Sequence, residues 1–204
     1  MSMMYRTTDP VPAPLALIQA ALASDDAERV ERAYYFAAAA HDGQTRDEGT
    51  PYIEHPVRVA LILWQELGVR DVDLMIAALN HDVIEDSEDV DDALVRSAFG
   101  DRAANLVLDV TKPAAPPDGK GARDRAYLDS LPGLDLDSRL LKLADRIDNL
   151  RSVIDGGDRA KARRYLIVSR AEFLPLAAMT DPVAHQLIGE ACDAIEALLE
   201  GGVP

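Results

Sequence analysis

The doublet His81-Asp82 is where the chemistry of this chain is densest. It ends an apolar run from Leu74 to Asn80, and Glu85 and Asp86 follow within the next turn. A neutral imidazole beside a carboxylate offers a nitrogen and an oxygen donor to one divalent cation. Neighbouring helical residues point about 100° apart, so both can reach the same ion. Residues four apart share a face, which puts Glu85 beside His81 and Asp86 beside Asp82. Carboxylates so placed can orient or deprotonate an attacking water. The acidic run continues through Glu88, Asp89, Asp91 and Asp92, and there it reads as a solvated helix end.

The other candidates are weaker one by one. His55 stands between Glu54 and Pro56 at a helix start, a place that suits a cap or a core residue as well as a ligand. His41, before Asp42-Gly43-Gln44, reads as a hydrogen-bonded structural residue, and spacing does not decide between it and His55 as a ligand. Asp145, taken alone, belongs to an ordinary amphipathic helix. His185 falls on a polar helix face. Arg46, Lys112, Lys120, Arg123, Arg125, Lys142, Arg146 and Arg151 are the basic groups near these segments and could hold phosphate, although single basic residues are usually solvated or paired. There is no Gly-rich phosphate loop, no His-Glu-x-x-His and no Gly-x-Ser-x-Gly elbow.

These residues must be positioned by helices. Ala and Leu are abundant and aromatics make up only 5% of the chain, which favours helix over sheet. Apolar types form 48% of 204 residues, enough for the core of one domain or at most two. The expected class is all-α, one domain. The net charge of -15 repels nucleic acid and anionic membranes. Cys192 is the single cysteine, which excludes an internal disulfide and a thiolate metal site, and suits a reducing cytoplasm. No apolar run approaches the roughly 20 residues of a membrane span. Leu15 to Ala23 reads as a first amphipathic helix rather than a signal peptide, because Gln19 interrupts it and three prolines precede it.

Residues 1–13 read as a disordered lead to a domain over 14–200. Ser24-Asp25-Asp26 should cap a helix from Ala27 to Ala40. Gly43 to Glu54 is a polar loop. Pro56 suits a first helical residue, and the run from Val57 to Leu67 stops at Gly68. Asp71 opens the helix that carries His81. Short helices fall near Val90 to Phe99, Arg102 to Val110 and Ala122 to Leu131. Residues 112–121, rich in Pro and Gly, read as an irregular loop or lid. Leu136, Leu140, Leu143, Ile147, Leu150 and Ile154 form an apolar stripe at steps of four and three. C-terminal helices fill 158–200. In the last of them, capped by Asp181, Val183, Leu187, Ala191 and Ile195 are expected to face inward.

Five segments in order carry a resemblance. They are Phe36 to Arg46, Gly49 to Pro56, Ala77 to Asp86 (with Asn80-His81-Asp82-Val83-Ile84-Glu85-Asp86), Val110-Thr111-Lys112, and Leu141 to Arg151 (with Leu143-Ala144-Asp145-Arg146). Together they resemble the hydrolase domain of RelA/SpoT homologues, a branch of the HD phosphohydrolase superfamily, with a motif-bearing core over 33–151. The resemblance implies an all-helical enzyme that hydrolyses the 3′-pyrophosphate of (p)ppGpp to GDP or GTP and pyrophosphate with Mn²⁺. It implies His55, His81, Asp82 and Asp145 as metal ligands, and so raises His55 over His41. It implies Glu85 and Asp86 as the water-activating pair, Arg46 at the base, and Asn149 near the ribose and 3′-phosphate. Lys120, Arg123 and Arg125 fall in the stretch where the family often places phosphate contacts, with no motif to fix their alignment, and Lys142 is a further candidate for binding substrate. Two departures stand out: Asp47 where the family has Lys or Ser, and Asp148 where it often has an aromatic or His. They keep open a related reading, an HD phosphohydrolase on another nucleotide such as NADPH, whose 2′-phosphate animal members remove. A third reading is an alarmone-binding sensor without turnover. The length suits a stand-alone small alarmone hydrolase in the cytoplasm.

Overall fold

The computed structural model describes residues 11–113 and 119–201. It is helical throughout, and the one β-bridge among the described residues joins Thr45 and Pro51. The chain divides into two compact units, residues 1–46 with 50–111, and residues 47–49 with 112–204. No helix among the described residues is long and apolar enough to cross a membrane. The expected lead lies, over residues 1–10, outside the described residues.

The first unit is built around a buried helix. Helices α1 (Ala13–Ala20) and α2 (Ser24–Ala40) come first. The expected cap by Ser24 is not found: Ser24 is itself helical, Ala23 takes the cap position, and no side chain caps the end. Asp25 and Asp26 in the first turn still complement the positive end of the helix dipole. Helix α3 (Glu54–Leu61) starts two residues before Pro56 and runs into a π-helical turn, Ile62–Glu66. Gly68, at φ +68, then takes the left-handed geometry that other residues avoid. Helix α4 (Val72–Asn80) follows, with the Asp71 carboxylate accepting from Leu74 N at 2.9 Å. Every residue from Leu74 to Asn80 is buried, because α2, α3 and α7 (Asp101–Val110) all pack on this helix. A helix covered on all sides needs no polar face. The short helix α5 (Val83–Asp86) and helix α6 (Asp92–Phe99) complete the unit.

The second unit is organised by α9 (Leu136–Gly156), which packs on α10 (Arg159–Val168) and α12 (Pro182–Glu200). Helix α8 (Lys120–Ser130) precedes it, and α11 (Leu174–Ala178) follows a π-helical turn, Ser169–Phe173. The expected irregular stretch is shorter than 112–121 at its far end. Gly119, at φ +105, makes the turn, so Lys120 and Gly121 are already helical. Residues 114–118 lie outside the described residues. The α9 stripe is buried at Leu140, Leu143, Ile147 and Leu150, whereas Leu136 in the first turn is exposed. In α12 the inward stripe is Ala184, Ile188, Ala191, Cys192 and Ile195. Val183 is exposed, because a register that buries Ile195, Ala191 and Ile188 returns to Ala184 at steps of four and three and leaves Val183 about 100° away.

Candidate metal centre and substrate cavity

In the first unit, α4 delivers His81 at its C-cap and Asp82 immediately begins α5. The chain end of α4 fixes the imidazole. His81 Nδ1 lies 2.8 Å from the Ala78 carbonyl, so it donates its proton there and Nε2 carries the lone pair. That lone pair is turned toward Asp82 Oδ2 at 3.2 Å. His55, in the first turn of α3, brings its Nε2 to 3.5 Å from the same oxygen. The two imidazole rings stand edge to face with centroids 5.0 Å apart. One donor atom from each of His55, His81 and Asp82 falls within 4.8 Å of the others. Two imidazole nitrogens facing one carboxylate oxygen are the donor types that hold a divalent metal, so the donor set fits one. Burial works to raise the Asp82 carboxyl, but His81 and His55, when protonated in the absence of a cation, outweigh it and hold the group well below the usual carboxylate range.

A loop shapes the other side of this centre. Arg46 N donates to Thr50 O at 2.9 Å and Tyr52 N to Gln44 O at 3.0 Å, which folds Tyr52 back onto α2. Its ring stacks on His41 at 4.5 Å, and its hydroxyl donates to Asp82 Oδ2 at 2.8 Å. Burial, with the charges of Asp82 and Asp86 behind it, pushes the Tyr52 phenol up. It therefore serves as a permanent donor. His41 is the buried structural residue expected: Nδ1 bonds Gln44 Oε1 at 2.8 Å, and burial lowers its affinity for a proton. Gln44 Nε2 in turn donates to the Asp86 carbonyl at 2.9 Å. The amides of Glu85 and Asp86 both reach Asp82 O at 3.0 Å, so α5 carries these two exposed carboxylates one turn beyond Asp82. Arg46 sits over the Tyr52 ring, 5.6 Å from its centroid.

In the second unit, α9 gathers Lys142, Asp145, Arg146 and Asn149 on one wall of a cavity of about 240 Å³. Asp145 and Lys142 are both buried, with Lys142 Nζ 2.9 Å from Asp145 Oδ2. The Asn149 amide donates to the other oxygen, Oδ1. Tyr127 of α8 and Tyr165 of α10 face them. Lys120, Arg123 and Arg125 do not line this cavity. Arg123 Nη2 is 2.7 Å from Asp124, and Arg125 is engaged by Asp129 and by Glu172 at 2.6 Å. Of the two departures, the Asp47 carboxylate meets Lys161 Nζ at 2.6 Å, and Asp148 is buried. His185 is exposed and Cys192 buried, as their helix positions suggested.

Tyr52, Gln44, Tyr127, Arg164 and Tyr165 are placed at these sites by the structure alone. Tyr52 had a signal, since it precedes His55 by three residues and so shares its side of the chain. Arg164 lies in a charged stretch, Arg159 to Tyr165, that reads like any solvated helix face.

A family model for the HD domain matches residues 33–180. Bifunctional (p)ppGpp synthase/hydrolase SpoT of Escherichia coli (strain K12) is 38% identical over 175 residues, which is 84% of this chain and 23% of that protein. The chain thus spans about a quarter of the length of this relative. Guanosine-3′,5′-bis(diphosphate) 3′-pyrophosphohydrolase MESH1 of Homo sapiens is 40% identical over 134 residues, 65% of this chain and 73% of that protein. Among solved structures, a metazoan SpoT orthologue that hydrolyses ppGpp superposes with a TM-score of 0.70 at 25% identity, over 96% of this chain and 99% of that one.

Proposed function

The chain belongs to the HD domain family, and from that premise we propose that it hydrolyses the 3′-pyrophosphate of (p)ppGpp, yielding GDP or GTP and pyrophosphate, with Mn²⁺ as the metal, in the cytoplasm. Residues 14–200 serve as one hydrolase domain, since the family match runs through both units. The observation that carries the reading is the convergence of His55, His81 and Asp82 with two exposed carboxylates, Glu85 and Asp86, one turn on. The relatives' activity supports the choice of substrate.

His55, His81 and Asp82 hold the ion, with Asp145 as the fourth ligand on its motif. When bound, the ion supplies Lewis-acid chemistry at a phosphoryl oxygen and at a water. Glu85 and Asp86 orient that water and accept its proton as its oxygen bonds to phosphorus. The bond from phosphorus to the ribose 3′-oxygen breaks, and the 3′-oxygen ends as a hydroxyl. Lys142 offsets charge gathering on the diphosphate. Asn149 holds the ribose side and Arg46 the base. Lys120, Arg123 and Arg125 have the weakest support as phosphate contacts, since carboxylates engage the two arginines. The Asp47 carboxylate, held by Lys161, stands where the family has Lys or Ser, and makes NADPH the second substrate to assay.

The double substitution Glu85→Gln with Asp86→Asn tests the mechanism. Turnover of ppGpp should fall by about 10²–10⁴-fold, while Mn²⁺ binding measured by calorimetry stays at the wild-type level. Undiminished turnover would refute the assignment of these two groups.

A further inference from the structure

We infer that Gln44 is a positioning residue for the water-activating pair, a clamp that fixes the end of α5 and through it Glu85 and Asp86. Its catalytic meaning rests on the proposed function, and the clamp itself on geometry. Helix α5 is a single turn, Val83–Asp86. One turn fixes several dihedral angles for few hydrogen bonds, so it does not hold itself together in water. No side chain caps its N-terminus, since the Asp82 carboxylate is turned to His81, His55 and Tyr52. Val83, buried in the core, anchors its start. Its end carries the exposed Glu85 and Asp86. There the Asp86 carbonyl is one of the acceptors that a helix C-terminus leaves without an intrahelical partner. Gln44 supplies the donor: its Nε2 reaches that carbonyl at 2.9 Å, from 42 positions earlier in the chain.

The two partners of the Gln44 amide fix its orientation. A carbonyl oxygen only accepts, so the atom facing Asp86 O is the NH2 group. Oε1 is left for His41, whose Nδ1 donates to it at 2.8 Å. His41 is itself held in place, buried at the end of α2 and stacked on Tyr52. A line of hydrogen bonds therefore runs from a core imidazole through Gln44 to the exposed carboxylate pair. The main chain of Gln44 does a second job. Its carbonyl accepts from Tyr52 N at 3.0 Å, and the Tyr52 hydroxyl holds Asp82 Oδ2. One residue thus registers Asp82 through its backbone and Glu85 with Asp86 through its side chain. Changing the side chain releases the second without the first. A general base must stand within hydrogen-bond reach of the proton it takes, and a displacement of about 1 Å costs on the order of 10²-fold in rate.

The test is Gln44→Met in the full chain, close in shape to the native side chain but without its donor and acceptor. Amide hydrogen exchange at Glu85, Asp86 and Ser87, whose N–H groups bond within this turn at 3.0 to 3.2 Å, should quicken by about fivefold, while α4 is unchanged. The kcat for ppGpp with Mn²⁺ should fall by about tenfold or more. KM and the Mn²⁺ dissociation constant should stay within about twofold of wild type. Gln44→Glu keeps an acceptor for His41 but loses the donor to Asp86, so it should resemble Gln44→Met; wild-type kcat and exchange in it would overturn the clamp. Added to Glu85→Gln with Asp86→Asn, Gln44→Met should leave the residual turnover unchanged, because the groups it positions are already gone. A further loss there, or a raised KM or Mn²⁺ dissociation constant with kcat unchanged, would overturn the positioning role. Hydrolysis by wild type is scored separately. Quickened exchange in a protein that never hydrolyses ppGpp would leave the clamp standing and overturn the hydrolase reading, whereas hydrolysis with kcat and exchange indifferent to Gln44 would do the reverse.

Discussion

Replacing Tyr52 with Phe isolates a single atom of the candidate metal centre. The ring is retained, and with it the stack on His41 at 4.5 Å, so packing is conserved. What goes is the hydroxyl that donates to Asp82 Oδ2 at 2.8 Å. That same oxygen is the one facing His81 at 3.2 Å and His55 at 3.5 Å. A hydrogen bond to a charged group contributes about 1.5–3 kcal/mol. Here its direction matters as well as its strength, because it holds the carboxylate turned toward the two imidazoles. Loss of such an outer partner typically weakens metal binding about 10–100-fold, and a tenfold loss corresponds to about 1.4 kcal/mol. Tyr52→Phe should therefore raise the Mn²⁺ dissociation constant by at least about tenfold, with His41 and Gln44 still in place. Calorimetric titration of Mn²⁺ into the metal-free protein reads this directly. A thermal melt in chelator serves as the folding control. A folded variant that binds Mn²⁺ within about twofold of wild type would refute the claim that the phenol positions Asp82.

Other consequences are as open to measurement. His41 is held below its ordinary value by burial, so the unfolded chain takes up the proton first as pH falls. The stability it contributes is full above the unfolded value of about 6.5 and is lost as pH drops toward the lower folded value. Urea unfolding at pH 7 and pH 5 should show a larger loss for wild type than for His41→Gln, and equal losses would contradict the assignment. Asp71→Ala removes both the cap on Leu74 N at 2.9 Å and the exposed pair with Arg102 at 2.6 Å. It should cost about 1–2 kcal/mol, nearly all from the cap. An unchanged unfolding midpoint would show that α4 is held by its burial alone.

Much of this architecture was legible because it is written in local rules. Asp71 and Asp181 are readable as helix starts and each caps its helix, and the same local rule places Asp91, Asp135 and Asp158 as caps in the structure. The α9 stripe from Leu140 to Leu150 obeys the helical period. What failed did so at helix ends. Ser24 was expected outside its helix, but an exposed N-terminus in water tolerates Ala23 as its cap. Val183 and Leu136 were expected inside, although first-turn residues of amphipathic helices often escape burial. At the site, the His81-Asp82 doublet was visible because the two residues are adjacent. His55 could not be chosen over His41 from spacing, since both are buried and both lie near Tyr52. The Nε2 of His55 comes within 3.5 Å of Asp82 Oδ2 while His41 bonds Gln44, a matter of side-chain direction that no spacing encodes. Arg146 was one basic residue among eight in the sequence, and its packing against the Phe173 and Tyr165 rings is a tertiary contact that no spacing encodes.

The central claim is tested most directly by incubating the purified protein with ppGpp and Mn²⁺ and resolving the products by anion exchange, with and without chelator. The account predicts GDP and pyrophosphate in equal amounts, formation stopped by chelator and restored by added Mn²⁺. Intact ppGpp after incubation with folded, Mn²⁺-loaded protein would contradict it.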